Sequence, residues 1–584
     1  MDPSTAWLHP TWAFALPIAA SFPLGWSMFH SLDRSEDRTG KGLDAVPMFF
    51  RRFLGSSGPV AMDWRQYAFT FLAYNAALFA ITFALLYLQQ HLPINPDAKG
   101  SLGALGYKAT DGVDNPGADT AVVFNTVCSF VTNTNLQHYS GEQHLSYFSQ
   151  LACIVWLMFV TPASGLAVML ATLRGLRGDK NMGDFYLDLL RGLIFVLLPV
   201  SLIIAVLLMG LGVPMTFQPA VEAKTLDGEA TKFEKQVITR GPVAALVAIK
   251  QAGTNGGGFF GSNTTHPFEN PNAWSNMLAV VSIVMLPMAS IIMAGLMLKN
   301  QKHAMVIYGV MLLLLLVGTV VAIWAETKPS AATEGLPVVV GPNMEGKEVR
   351  IGPVASATWA AMTTASSNGS VNSMHDSLNP IAGLVPLSLM MFNVVFSGIG
   401  AGFENMLMYI IVAVFLAGLM VGRTPEYLGK KVEAKEVKLA MIAMLIHPLL
   451  ICAGAGLFAA TEWGTKTVAN PGAHGFSEIL YEFSSAAANN GSGFEGLGDN
   501  NPAWNIATGI VLLLGRFPAL VLPLALAGSL STKKRVPETI GTLRTDNLTF
   551  AGMLLGTVIL IGALSFMPAA VLGPIADHLA VLKP

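Results

Sequence analysis

Along this chain, long apolar runs alternate with short polar loops. Nine runs are long enough for a helix to cross a bilayer: Trp12–Phe29, Tyr67–Leu88, Tyr147–Leu173, Leu187–Val213, Trp274–Leu298, Ala304–Ala325, Leu439–Ala460, Trp504–Leu530 and Phe550–Leu572. A helical crossing takes about 20 apolar residues. A tenth apolar stretch, Pro380–Val421, is interrupted by Ser397-Gly398-Ile399-Gly400-Ala401-Gly402-Phe403-Glu404-Asn405. Shorter runs lie between, among them Ala121–Val131, Val354–Thr364 and Ile479–Ala488. At about a dozen residues they cannot span, and they suit re-entrant half-helices.

A polar turn follows each short run. The turns are Thr132-Asn133-Thr134-Asn135, Gly253-Thr254-Asn255-Gly256-Gly257-Gly258, Ser367-Asn368-Gly369 and Asn489-Asn490-Gly491. Aligned on Asn135, Gly256, Gly369 and Gly491, they are spaced by 121, 113 and 122 residues. Glycine reaches backbone angles closed to other residues and lets carbonyl oxygens line a narrow space. Such carbonyls replace the water shell of K⁺ in a selectivity filter. A phosphate-binding loop would need a Lys after the glycines, and none follows. The pattern therefore predicts an all-α polytopic membrane protein with four units of helix, pore half-helix, filter loop and helix around a pseudo-four-fold pore. The units are expected at residues 66–173, 186–298, 304–422 and 439–530. An extra span is expected at each end, within residues 1–65 and 549–584.

Composition agrees: 53% of the 584 residues are hydrophobic and 12% charged, against about 25% charged in soluble domains. A net charge of −2, with no basic stripe, argues against a nucleic-acid partner. Cys128, Cys153 and Cys452 lie in apolar segments without metal-ligand spacing, and read as small buried hydrophobes. The N-terminus lacks the basic start of a signal peptide. Basic residues gather in alternate loops: Ser31–Arg65, Arg174–Phe185, Lys299–Lys302, Arg423–Lys438 and Lys533–Arg544. The positive-inside rule places these loops in the cytoplasm and both termini and all four turns outside. Pro380–Val421 must then cross an odd number of times, and its 42 residues allow one broken crossing. A break below the third turn is placed to obstruct the pore; close packing of glycines is the alternative.

The expected K⁺ ligands are backbone carbonyls of Asn133, Thr134 and Asn135, of Thr254, Asn255 and Gly256, of Ser367, Asn368 and Gly369, and of Asn489, Asn490 and Gly491. The Thr254 and Ser367 hydroxyls and the Asn133 and Asn489 amides add oxygen ligands or brace the loops. Gln137 is expected to brace the first loop. The pore floor is assigned to Gly398, Gly400, Gly402, Glu404 and Arg516. Arg516 sits mid-span, where a charge costs about 2.5–3.5 kcal/mol on insertion scales. It either repels K⁺, pairs with a carboxylate such as Glu404, or caps broken-helix carbonyls. No acid–base dyad or transition-metal cluster is evident, and His266 and His375 read as loop hydrogen-bonders.

Several motifs resemble the KdpA family, potassium-binding subunits of bacterial Kdp potassium-transporting ATPases. They are Thr132 through Gln137; Gly253 through Phe260, continuing to His266-Pro267-Phe268-Glu269-Asn270-Pro271; Met374-His375-Asp376-Ser377; and Gly422 through Lys431. The resemblance runs nearly end to end. It implies the superfamily of K⁺ transporters and high-affinity K⁺ uptake driven by ATP. It also implies a partner P-type pump subunit (KdpB), KdpC and often KdpF, in the lipid of the bacterial inner membrane. Leu136, Asn368 and Asn393 depart from residues seen in some members (Trp, Cys and an acidic residue). Asp37-Arg38-Thr39-Gly40-Lys41 superficially resembles the phosphorylated motif of P-type pumps, but its loop has only 35 residues. No nucleotide is expected on this chain, which reads as a non-hydrolytic subunit. The rival readings are a self-sufficient K⁺ channel or gradient-driven symporter and, more remotely, a membrane enzyme.

Overall fold

The computed structural model describes residues 7–33, 45–53, 55, 59–104, 107–108, 114–115, 120–226, 234–330, 337, 341–422, 424–537 and 543–581. Asp37 through Lys41 and Arg423 lie outside the described residues. The architecture is helical, with three two-stranded hairpins among the described residues; the longest pairs Val221–Lys224 with Lys235–Ile238. Among the described residues ten helices are long and apolar enough to cross a membrane: Leu8–Leu32, Trp64–Tyr87, Ser149–Arg177, Phe185–Gly210, Ala273–Met297, Gln301–Glu326, Ala401–Met420, Ala434–Ala459, Pro502–Ser531 and Leu548–Ala580. They correspond one for one to the ten apolar stretches of the sequence.

Local chemistry sets the helix ends. Asp63 accepts from the Arg65 and Gln66 amides while Gln66 returns a bond to the Asp63 amide, a capping box. Asn272 and Ser275 form another at the start of Ala273–Met297. Small residues permit close helix contact: Leu8–Leu32 lies along Ala273–Met297, and a Cβ on Gly25 would fall within 3 Å of the Ala289 carbonyl. Cys128 and Cys153 are buried as expected; Cys452 is exposed on its helix.

The basic loops meet at one end of the bundle. Lys430 Nζ donates to the Gly175 and Leu176 carbonyls at 3.2 and 2.9 Å. Arg535 Nη2 donates to the Arg177 carbonyl at 3.1 Å. Contacts around the segments that flank the turns lie elsewhere: Arg350 Nη2, just before the third short helix, Gly352–Ala365, donates to the Thr265 carbonyl at 2.8 Å, and His474, in the first turn of the fourth, Gly472–Ala487, reaches Asp376 at 3.0 Å. Side-chain bonding thus ties together the loops that the charge pattern grouped.

The interruption of Pro380–Val421 starts earlier than its glycines suggest. Helix Pro380–Phe392 ends at Asn393, whose φ of 49° makes a left-handed cap. The chain is non-helical to Gly400, and helix Ala401–Val421 follows. Gly402 and Glu404 therefore belong to the first turn of the second helix, not to the break. Asn tolerates the left-handed region better than most residues, so it can end a helix where glycine is the usual signal.

Candidate functional site: a ring of four re-entrant turns

Four short helices, Thr120–Val131, Val243–Ala252, Gly352–Ala365 and Gly472–Ala487, each end in one of the polar turns. The same backbone bond closes each of them. Thr134 N reaches Ser129 O at 2.9 Å, Asn255 N reaches Lys250 O at 2.9 Å, Asn368 N reaches Thr363 O at 2.9 Å, and Asn490 N reaches Ser485 O at 2.9 Å. Every acceptor lies five residues back, so the terminal carbonyls are satisfied by the turn itself.

The turns also share a backbone signature. Positive φ occurs at Asn133 and Asn135, at Thr254 and Gly256, at Ser367 and Gly369, and at Asn489 and Gly491. Thr254 at 51° is costly for a β-branched residue and persists only where its surroundings enforce it.

The four turns close on one another in chain order. A Cβ built on Gly256 would lie under 3 Å from the Asn368 carbonyl oxygen; one on Gly369, from that of Asn490; and one on Gly491, from that of Thr134. The circuit closes where Asn133 Nδ2 donates to the Thr254 carbonyl at 3.1 Å. Asparagine amides bridge the remaining boundaries. Asn368 Nδ2 donates to Lys250 O at 2.8 Å, Asn490 Nδ2 to Thr363 O at 3.0 Å, and Asn489 Nδ2 to Thr134 Oγ1 at 3.0 Å. These asparagine amides act as braces. Gln137 braces its own loop by donating to the Tyr139 hydroxyl at 3.1 Å, and it also reaches across to the second turn, accepting from Gly258 N at 2.7 Å and donating to Gly258 O at 3.1 Å.

Below the ring lies the broken segment. Ile399 N donates to Thr254 Oγ1 at 3.1 Å. Ser367 Oγ meets Ser397 Oγ at 2.8 Å and donates to Asn393 Oδ1 at 3.2 Å. The Thr254 and Ser367 hydroxyls thus tie the second and third turns to the break. Gly400, at φ 87°, packs so tightly on Gly165 that a Cβ would clash with its carbonyl. A void of about 10 Å³ remains, lined by Ser367, Asn393, Ser397, Asn405, Asn489 and Arg516 among others. Arg516 is buried, and its Nη2 has no hydrogen-bond partner among the described residues. Glu404 is fully buried, and among the described residues the two form no ion pair. Of the alternatives for Arg516, pairing with Glu404 is therefore dropped.

Above the ring opens a cavity of about 600 Å³. Asn135, Gly369 and Gly491 line it together with Lys347, Glu348, Glu482, Glu495 and Asp499. His138, fully enclosed beside it, sits 3.3 Å from Glu482 and 3.8 Å from Asp499. Burial opposes its charge, but the two carboxylates outweigh that and hold its pKa up at about 9. Burial also pushes Asp499 up to about 6, against the pull of His138. His266 stacks on Phe260 with ring centroids 3.7 Å apart and accepts from Phe268 N; His375 bonds Tyr481 at 2.9 Å. Both are loop hydrogen-bonders, as expected.

Sequence reasoning overlooked the vestibule carboxylates, and it overlooked Lys250, Asn263 and Glu269 behind the second turn. Lys250 did leave a signal: a lone Lys inside an apolar half-helix marks a constrained position.

Ten helices among the described residues that are long and apolar enough to cross a bilayer, packed about four polar turns, define a class: a multi-pass membrane protein. Residues 11–579 match the family described as potassium-transporting ATPase A subunit, KdpA, and the chain belongs to that family. A relative from Geobacillus kaustophilus (strain HTA426), described as a potassium-transporting ATPase potassium-binding subunit, is 46% identical over 576 residues, covering 98% of each chain. The crystal structure of the potassium transporter TrkH from Vibrio parahaemolyticus aligns with a TM-score of 0.47 and 14% identity, over 75% of this chain and 83% of that one. That likeness is too slight to carry an argument.

The vestibule charge gives a pH dependence. Above pH 6 Asp499 carries a negative charge near the ring; below it that charge is lost. One charge at such range in water is worth about 0.5 kcal/mol, roughly a twofold change in binding. Acidifying the cavity side from pH 7.5 to 5.5 should therefore raise the KM for K⁺ about twofold, and Asp499→Asn should reduce the shift to the smaller share of Glu495, whose pKa burial pushes up to about 8. Transport assays across pH on that side check this; an unchanged slope in the variant counts against it.

Proposed function

We propose that this chain is the K⁺-binding and translocating subunit of an ATP-driven uptake complex, taking K⁺ from outside through the four-turn ring. The observation that carries the reading is the ring itself: four turns from distant segments, with one backbone pattern, closed on each other in a KdpA-family chain. The carbonyls of residues 133–135, 254–256, 367–369 and 489–491 are the candidate ligands. The carbonyl ends of the half-helices add a favourable field for a cation. K⁺ is the transported ion, and ATP is hydrolysed by a partner subunit: KdpB, with KdpC and KdpF completing the complex. The membrane is the bacterial inner membrane, with both termini and the vestibule outside. In this reading the chain comprises four units, near residues 66–173, 186–298, 304–422 and 439–530, with one flanking span at each end.

The broken segment forms the pore floor in this reading. Ser397 and Ile399 bond to turns of the ring, the void beneath is small, and the mid-span Arg516 borders it. A ring open at both ends would let K⁺ run down its gradient. The floor therefore separates this reading from that of a self-sufficient channel.

The selectivity test uses the ring glycines. Gly256→Ala and Gly369→Ala force a methyl onto the next turn's carbonyl and should cut K⁺ over Rb⁺ discrimination about tenfold, the effect of about 1.4 kcal/mol. Ion-stimulated ATPase and uptake of the assembled complex provide the measurement, and unaltered discrimination in both variants rejects the ring as filter.

The floor is tested by passive flux. Shortening Gly398–Gly402, or Arg516→Gln, should raise ATP-independent K⁺ flux in proteoliposomes while flux stays K⁺-selective. If both variants assemble and remain tight, the block lies elsewhere.

Sidedness is tested with single cysteines. Those replacing Ser101 and Ala469 should react with an impermeant reagent from outside, and one replacing Lys431 only from inside. A third position chosen from the sequence, Gly228, lies outside the described residues. The reverse labelling pattern overturns the orientation.

A further inference from the structure

Behind the second turn lies a buried ion pair. Lys250 is in the last turn of the half-helix Val243–Ala252, and Glu269 lies in the loop that follows the glycines. Both side chains are 0% exposed, and Lys250 Nζ contacts Glu269 Oε2 directly. Each member of the pair is also bonded to the turn. Lys250 Nζ donates to Asn263 Oδ1 at 2.7 Å, and Asn263 Nδ2 donates to the Gly256 carbonyl at 2.8 Å. Glu269 Oε1 accepts from Phe259 N at 2.7 Å and from Phe260 N at 3.1 Å. The segment from Gly256 to Phe260 is thus held at both ends by one charge pair.

The main chain of Lys250 completes the support. Its carbonyl accepts from Asn255 N and Gly256 N, and from the Asn368 side chain of the third turn. One residue therefore fixes the second turn through its side chain and the boundary with the third through its backbone.

A Lys here needs a specific reason. An ammonium at the carbonyl end of a half-helix opposes the field that favours a cation. A buried charge is retained only when paired and hydrogen-bonded. Glu269 cancels the charge at the position where it would repel K⁺. The ammonium still supplies what an apolar residue could not: a donor that orients the Asn263 amide toward the Gly256 carbonyl. Gly256 most needs such a hold, because it has no side chain and sits at φ 87° against Asn368.

We propose that the Lys250–Glu269 pair, acting through Asn263, positions the second turn of the ring and so sets how strictly K⁺ is distinguished from Rb⁺ and Na⁺. The inference rests on the filter reading given above. Lys250, Asn263 and Glu269 are positioning residues; the ion is held by others.

The test uses the assembled complex with its own partner subunits and the ions K⁺, Rb⁺ and Na⁺ as probes. Asn263→Ala removes the link between the pair and the Gly256 carbonyl, together with two local bonds to Thr264, and keeps both charges. Lys250→Met with Glu269→Gln removes both charges and keeps the shape. Both should raise the KM for K⁺ at least tenfold and bring the Rb⁺ to K⁺ ratio toward one, per assembled complex. Lys250→Arg, which keeps a charged donor, should recover most of the discrimination. A purely structural pair would lower the yield of complex and leave the KM and ion ratio per complex as in the parent, which overturns the proposal. If the double variant does not assemble, Asn263→Ala decides alone. Gly256→Ala, measured alongside, separates the two ideas. If it or Gly369→Ala changes selectivity and the Asn263 variant does not, the positioning role fails and the filter stands; if none of the three changes it, the filter reading itself fails.

Discussion

The contact on which the rest of the molecule depends is that of a glycine α-carbon with the carbonyl of the next turn. It occurs at Gly256, Gly369 and Gly491, and at each the space of a methyl group is already filled. The fourth position is Asn135, which bears a side chain and brings it against Gly257. Such closeness is possible only if four half-helices aim their carbonyl ends at one place. Their lengths and entry angles, and the helices flanking them, follow from that convergence. Backbone that is not helical can exist at membrane depth only when buried in protein or lining a cavity, and the ring provides both conditions.

Polar chemistry near the ring is matched in part: the amide of Asn135 has no hydrogen-bond partner among the described residues, whereas other ring asparagines are bonded. Asparagine amides bridge between turns, so donors that would otherwise be stranded in the bilayer support the carbonyls of neighbours. Among the described residues two ion pairs have both side chains fully buried: Lys250 with Glu269 behind the second turn, and Lys347 with Glu326 beside the cavity above the ring. Breaking such a pair by removing one partner costs about 3–5 kcal/mol, so each is kept as a unit. Arg516 is different, since its Nη2 lacks a partner among the described residues and it borders the void under the ring. A charge kept at that cost is a candidate for function.

The broken helix joins the ring to the space beneath it. Asn393 ends its first half in a left-handed cap, and the residues up to Gly400 bond upward to Thr254 and Ser367 and pack on Gly165. The same irregular segment therefore supports two turns and restricts the space beneath them. Its glycines serve packing as well: Gly400 could not approach Gly165 with a side chain. The two uses that the sequence offered for these glycines, floor and close packing, are compatible in the fold.

Apolar length and local backbone demand are properties of short stretches, so they were readable from residues alone. The ten spans, the half-helices too short to cross, the four turns and the existence of a break in Pro380–Val421 all followed from them. Gly256, Gly369 and Gly491 were legible because a positive φ leaves a glycine. Thr254, Ser367 and Asn489 take positive φ too, and nothing local announced it. Which atoms meet was settled only by the tertiary structure. Gln137 crosses to Gly258, Asn393 begins the break, Glu404 and Arg516 stay apart, and Lys250 finds Asn263 and Glu269. The ring contacts join segments more than a hundred residues apart, where hydrophobic period and turn chemistry carry no information about partners. A hydrogen bond is fixed by direction and distance to within a fraction of an ångström, and only the packed helices supply that.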